Sequence, residues 1–240
     1  MRIDQDKCIA CLECIDYCPM EAIKENPESG VVSIDEDECV ECGCCLKAEI
    51  CPCEAIWQPE LNWQRRLRAE FSDASLTHPL TGIRGRGTDE MKTNDVTGRY
   101  PRGKIGIAAE LGRPGTGTRF RDVEKVIKAL VPLGVVFEKN NPTYALIADT
   151  ATGRLKEEVL NEKVLSAIVE FSVTIDKVAP VLKALREVSR QVDTVLSMNM
   201  CSLLEPDGTC PAENAVRGAG FEIRPNGKNN IGLGRPLAKI

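Results

Sequence analysis

The chain has 240 residues, a net charge of −5 and a hydrophobic fraction of 42%, enough for a small module and one larger domain. It opens on charged residues (Arg2, Asp4, Asp6, Lys7) and contains no apolar stretch approaching ~18 residues, so neither a secretory leader nor a membrane span is expected. Residues 1–58 carry four Lys/Arg against fourteen Asp/Glu, whereas the remainder carries 27 against 22. That basic excess is interspersed with acids, which argues against nucleic-acid binding.

Ten of the twelve cysteines precede residue 54. Cys8, Cys11, Cys14 and Cys18, followed by Pro19, are spaced C-x2-C-x2-C-x3-C-P, and Cys39, Cys42, Cys45 and Cys51, followed by Pro52, nearly repeat this. One C-x-x-C also suits zinc or a redox disulfide. Two three-thiolate runs, each closed by Cys-Pro, are the spacing of a protein that holds two [4Fe–4S] clusters. Soft thiolates suit iron, short loops bring three of them onto one cluster face, and the fourth comes from the other run. The expected sets are Cys8, Cys11, Cys14 and Cys51 for one cluster, and Cys39, Cys42, Cys45 and Cys18 for the other. Reduced thiolates and oxygen-sensitive clusters predict a cytoplasmic, anaerobic setting.

With these motifs, and the Met20-Glu21-Ala22-Ile23 and Glu54-Ala55-Ile56 echoes after each Cys-Pro, residues 1–58 resemble the bacterial dicluster ferredoxins. The resemblance implies electron transfer. The excess of acid predicts docking on basic partner surfaces, besides providing solubility. One departure is the five-residue spacer Leu46–Ile50 before Cys51, where three residues separate Cys14 from Cys18; it is expected to reshape the loop beside the cluster that Cys51 serves. Cys44 and Cys53 read as space-filling thiols, with ligand exchange as the other reading.

Gly30–Ile34 reads as the strand leading into the second run. A connector then spans residues 59–103. It starts with a basic amphipathic helix over Leu61–Phe71, expected to pack the module against the rest, with Leu61, Leu67 and Phe71 apolar. Trp57 and Trp63 read as packing residues, with cluster cover as the alternative. Residues 72–103 lack apolar periodicity and mix Gly, Thr, Arg and Asp, a composition suited to a loop over a ligand or partner, with a solvated linker as the other reading. His78, the one histidine, is expected at the surface, with proton donation as the alternative.

From Lys104 to Ile240 the pattern is α/β. Strands are expected at Ile105–Leu111, Val135–Phe137, Tyr144–Ala148, Leu165–Val173, Val192–Met198 and Phe221–Ile223. Helices are expected at Asp122–Val131 and from an Asp176 N-cap to about Arg190. Two β-α-β units predict an α+β sandwich, a mostly antiparallel sheet with helices on one face. The element order resembles ferredoxin-like and ACT-like folds, and the Gly112–Gly117 turn resembles the ACT ligand turn. Arg113, Arg119 and Arg121 at this helix start could hold an anion, or the turn is simply tight and its arginines solvated. Glu110 is equally open, and Cys201 and Cys210 read as structural thiols, with a redox pair or sulfur-handling role as the other reading.

The run from Arg84 to Arg99, continuing through Glu110–Gly115, resembles the iron–sulfur portion of 6-hydroxynicotinate reductase. That family uses low-potential electrons to saturate a ring bond of an N-heteroaromatic acid. Its members are longer than this chain, and the resemblance therefore leads to the expectation of a catalytic or flavin-bearing part on another polypeptide. Only the cluster cysteines transfer residue by residue. Three roles follow: an electron-transfer subunit serving a redox partner; a reductase in which Arg84, Arg86, Arg99, Arg113 and Arg119 clamp a small carboxylate; or a metabolite-binding redox sensor.

Overall fold

The computed structural model describes residues 1–85, 87–88, 97–113 and 115–224. The first 58 residues form β1 (Arg2–Ile3), a hairpin of β2 (Ile23–Glu25) and β3 (Val32–Ile34), a single turn α1 (Cys44–Lys47) and β4 (Ile56–Trp57). β1 pairs antiparallel with β4, tying the two ends of the module together. Its core is small: Met1, Met20, Ala22, Ile23, Val32, Val40 and Ile56 pack with the buried thiols of Cys39 and Cys45. The cysteines are therefore part of what holds this module in shape.

The connector helix α2 (Trp63–Ser72) is capped by Asn62, whose side chain accepts the Arg65 N–H at 2.9 Å. His78 is buried rather than at the surface. Its ring meets Phe71 edge-on at 6.0 Å, and Nδ1 accepts the Leu80 N–H at 3.3 Å. Burial lowers its basicity, so the neutral ring acts as packing. Trp57 and Trp63 are about half exposed and do not act as core residues.

The larger domain begins with β5 (Lys104–Leu111), β6 (Thr118–Arg119), α3 (Phe120–Leu130) and β7 (Val136–Phe137). It continues through β8 (Ile147–Asp149), β9 (Arg154–Leu155), β10 (Lys163–Val164), β11 (Ala167–Thr174), α4 (Val178–Val188), β12 (Leu196–Cys201) and α5 (Pro211–Gly218). The main sheet has the order β12-β5-β11-β7 with every pairing antiparallel, the connectivity of a split β-α-β motif. Alternation along the strands sends Ile105, Ile107, Ala109, Leu111, Val169 and Phe171 to one face, where Val123, Val126, Ile127, Leu130, Val181, Leu182 and Leu185 of the helices cover them. On the other face Tyr100 packs with Ala108 and Ile168. Gly106 admits it there, since a Cβ would lie 2.5 Å from the Tyr100 ring.

Several expected elements differ. Tyr144–Leu146 is a 3-10 turn, and β8 pairs with β9 outside the main sheet, leaving β7 as its short fourth strand. Asp176 lies in a 3-10 turn and caps nothing. Phe221–Ile223 is not a strand; the Phe221 ring lies under the Arg186 guanidinium at 4.7 Å, and α5 occupies the preceding segment.

The two parts are joined mainly by charge. Arg68 of α2 is only 5% exposed. Its Nη1 donates to the carbonyls of Glu36 (2.9 Å), Asp37 (2.9 Å) and Cys39 (3.0 Å), and its Nε donates to Glu162 at 2.6 Å. The β6–β10 pairing sets Arg119 opposite Lys163. Arg119 reaches Asp37 at 2.7 Å and Glu38 at 3.0 Å, and Lys163 also binds Glu38. One turn earlier on α2, Arg65 donates to buried Glu41, which also accepts from the Met1 ammonium at 2.6 Å.

Arg68→Ala should leave Glu162 and three carbonyls short of partners and cost about 3 kcal/mol, read by chemical denaturation; an effect within experimental error would remove Arg68 from this role. Hydrogen bonding by Arg119 holds Asp37 below the usual carboxylate range, and the Met1 ammonium and Arg65 outweigh burial to do the same for Glu41. A depressed carboxyl pKa stabilises above its unfolded value, near pH ~4, and that stabilisation disappears as pH falls through the folded value. Unfolding transitions should thus fall steeply below that pH, and less so in Asp37→Asn and Glu41→Gln variants.

Candidate metal centre

The thiol loops owe their shape to backbone that L-residues rarely adopt. Each Cys-Pro is followed by one residue and then a glutamate at positive φ: Glu21 at 52° and Glu54 at 51°. Such turns are strained for non-glycine residues. Each one aims the next amide back at the cysteine, so that Ala22 N–H donates to Cys18 Sγ and Ala55 N–H to Cys51 Sγ, both at 3.2 Å. Ala10 and Leu12, also at positive φ, turn the first run around its thiols. Amides aimed at sulfur stabilise thiolate and lower the electron density of a cluster it binds.

The eight cysteines fall into two neighbourhoods. Cys8, Cys11, Cys14 and Cys51 line one cleft, with Ile9, Leu12, Glu13 and Cys53 on its walls. Burial raises Cys14, and the adjacent thiols Cys11, Cys8 and Cys51 add to it. Burial would also raise Cys51, but the amides of Ala55, Cys53 and Ile56 outweigh it and leave this thiol below its ordinary value. In the second neighbourhood, burial with the nearby Cys39 and Cys18 pushes Cys45 up to about 11. Burial with Cys44 and Cys45 pushes Cys42 up to about 12. Among the described residues no three Cys, His, Asp or Glu groups close around a single-ion position. Thiols that line a cleft and receive amide donors at Cys18 and Cys51 fit [4Fe–4S] binding, and loading a cluster must displace protons.

Cys53 stands 3.6 Å from Cys51, sulfur to sulfur, and lines the same cleft. Cys44 is exposed at the start of α1, beside Cys42. Cys201 and Cys210 lie far along the chain; Cys201 packs beside Tyr100, and Cys210 meets Ser202 at 3.5 Å.

The Gly112–Gly117 turn, of which Pro114 lies outside the described residues, is tight: Gly117 N–H donates to Gly112 O at 2.9 Å, and a Cβ on Gly112 would strike Leu165 O at 2.7 Å. Its outer edge presses on the Cys18 loop. A Cβ on Gly117 would meet Met20 Cε at 2.5 Å, and one on Gly115 would lie 3.9 Å from Pro19 O. Leu165 joins the apolar core of the cysteine module. Nothing in the sequence marked Met20, Leu165 or Arg68 for this role, although Arg65 and Arg68, three apart on one helix, share a face.

The described candidate arginines each have a separate partner within the chain. Arg84 forms an isolated bridge with Thr77, and Arg86 lies outside the described residues. Arg99 pairs with Glu138 at 3.7 Å, before the start of β5. Arg113, beyond its other end, pairs with Glu110 at 3.1 Å. Arg119 is bound to Asp37 and Glu38.

Gly117→Ala should therefore loosen the contact with the Cys18 loop at a cost of about 1–3 kcal/mol, measured by denaturation. Adding Met20→Ala should recover part of that loss in a double-mutant cycle; strict additivity would show that the two residues do not press on one another.

A family profile described as a 4Fe-4S binding domain matches residues 1–24. The ferredoxin of Methanothermococcus thermolithotrophicus is 41% identical over 58 residues, covering 23% of this chain and 92% of that protein. Pyruvate synthase subunit PorD of Methanothermobacter marburgensis is 46% identical over 54 residues, 22% of this chain and 58% of PorD. Hydrogenase-2 operon protein HybA of Escherichia coli O157:H7 is 38% identical over 48 residues, 19% of this chain and 14% of HybA. The chain thus spans only part of the length of PorD and HybA, and no solved structure matches it. Through its N-terminal iron–sulfur domain, the chain belongs to the ferredoxin family.

Proposed function

We propose that the chain is the electron-transfer subunit of a larger cytoplasmic reductase and holds two [4Fe–4S] clusters, Cys8, Cys11, Cys14 and Cys51 ligating one and Cys39, Cys42, Cys45 and Cys18 the other. The observation that carries this reading is the sorting of eight thiols into two neighbourhoods, each drawing its fourth cysteine from the other run. When bound, the clusters supply reversible one-electron chemistry. The chain fixes their sulfurs, excludes water from Cys39 and Cys45, and directs the Ala22 and Ala55 amides at Cys18 and Cys51. A partner chain bearing flavin or metal would take the electrons on. PorD, named as a subunit of pyruvate synthase, is a parallel for a ferredoxin domain in the service of a larger enzyme.

A ferredoxin-dependent reductase of an N-heteroaromatic carboxylate has less support, since Arg99, Arg113 and Arg119 are each engaged by carboxylates of the chain. A metabolite sensor with an ACT-like ligand turn also has less support, because Pro19 and Met20 occupy the outer edge of that turn.

Anaerobic purification of the native protein tests the proposal. The expected result is about eight iron and eight sulfide per chain, and a stoichiometric flavin- or metal-bearing partner. Cys11→Ala and Cys42→Ala should each remove about half of the iron. Zinc in place of iron, or iron unaffected by either substitution, would contradict the ligand sets.

A further inference from the structure

The two thiol sets are not equivalent in their surroundings. In the second, Cys39 and Cys45 are each 8% exposed. Arg68 holds the Cys39 carbonyl, while Met20, Leu165 and the Gly112–Gly117 turn cover this side. The acids flanking it are engaged within the chain: Asp37 and Glu38 with Arg119, and Glu41 with Arg65 and Met1. In the first set Cys11 is exposed, and the cleft it lines opens between the exposed apolar side chains of Ile9 and Leu12. Glu13 lines the same cleft, and Glu54 sits between its lining residues Cys53 and Ala55; both are exposed and form no ion pair among the described residues.

Resting on the electron-transfer reading above, we infer that the Cys8–Cys11–Cys14–Cys51 set is the outer port, where a one-electron carrier protein with a Lys/Arg-rimmed apolar docking face exchanges electrons. The Cys18–Cys39–Cys42–Cys45 set is the inner station, turned toward the α+β domain. An apolar centre with a charged rim is the anatomy of a transient docking face. The unneutralised acids select a basic partner, steer its approach and disfavour a second copy of this acidic module. With a cluster held by Cys8, Cys11, Cys14 and Cys51, a reduced carrier would give up one electron to this set with no bond or proton changing hands, and the set under Met20 and Leu165 would receive it next.

The test uses the full chain, loaded with iron and sulfide anaerobically. Hexaamminechromium(III), a redox-inert paramagnetic cation, is titrated in while the cysteine β-methylene proton resonances are followed. Broadening confined to Cys8, Cys11, Cys14 and Cys51 is expected. It should be abolished in a Glu13→Gln/Glu54→Gln double variant and unchanged in Glu25→Gln/Glu28→Gln on the β2–β3 hairpin. Stopped-flow reoxidation of the reduced protein by hexaamminecobalt(III), each cobalt accepting one electron, should slow about tenfold or more from low to high ionic strength, and the first double variant should lose most of that dependence. Equal broadening of the Cys39, Cys42 and Cys45 resonances, or a rate indifferent to salt and to these glutamates, would overturn the port. If the loaded chain shows no cysteine resonances from two clusters, the electron-transfer reading itself fails and the port falls with it.

Discussion

A single guanidinium organises this molecule. Arg68 projects from the connector helix into the seam between the two parts, donating to the backbone carbonyls of Glu36, Asp37 and Cys39 at the start of the second cysteine run and to Glu162 of the larger domain. Carbonyls at the end of such a loop need donors once water is excluded. A buried arginine in turn needs acceptors and a counter-charge. Each requirement is met by the other. The loop held by Arg68 carries Cys39, and beside it the Cys18 turn lies against Gly115 and Gly117.

The acidity of the first 58 residues consequently divides into two uses. One group of carboxylates is spent inside the molecule on Arg119, Lys163, Arg65 and the amino terminus, where partial burial makes the pairs stronger than surface ion pairs. Others, Glu13 and Glu54 among them, face solvent beside the more exposed thiols. Composition alone records only the sum. The geometry turns a general acidic character into a directional one, with a charged face on one side and a neutralised seam on the other.

The sequence was most legible where local chemistry dominates. Cysteine spacing needs only short loops to bring thiols together, and the two Cys-Pro motifs reproduce each other down to the positive-φ glutamates. The strand–helix–strand order of residues 104–201 was readable because alternating Ile105, Ile107, Ala109 and Leu111 face helices with apolar residues spaced three and four apart. Long-range partners were hidden. Gly112–Gly117 looks like a ligand turn because glycines that permit a tight reversal also permit a neighbouring chain to approach, and here the neighbour is Met20. Arg119 looked available for an anion, and its anion is Asp37, 82 residues earlier. His78 appears polar in sequence, yet a neutral imidazole packs well against Phe71. The helix Pro211–Gly218 was missed because its few apolar residues, Ala212 and Val216 among them, gain their burial only from the α4 side of the domain.

Anomalous diffraction at the iron edge from anaerobically grown crystals would locate the iron that the proposed outer and inner thiol sets hold. Two iron peaks per chain are expected, one in the cleft of Cys8, Cys11, Cys14 and Cys51 and one among Cys18, Cys39, Cys42 and Cys45 beside Met20. A single iron peak, or anomalous signal only at the zinc edge, would contradict that proposal.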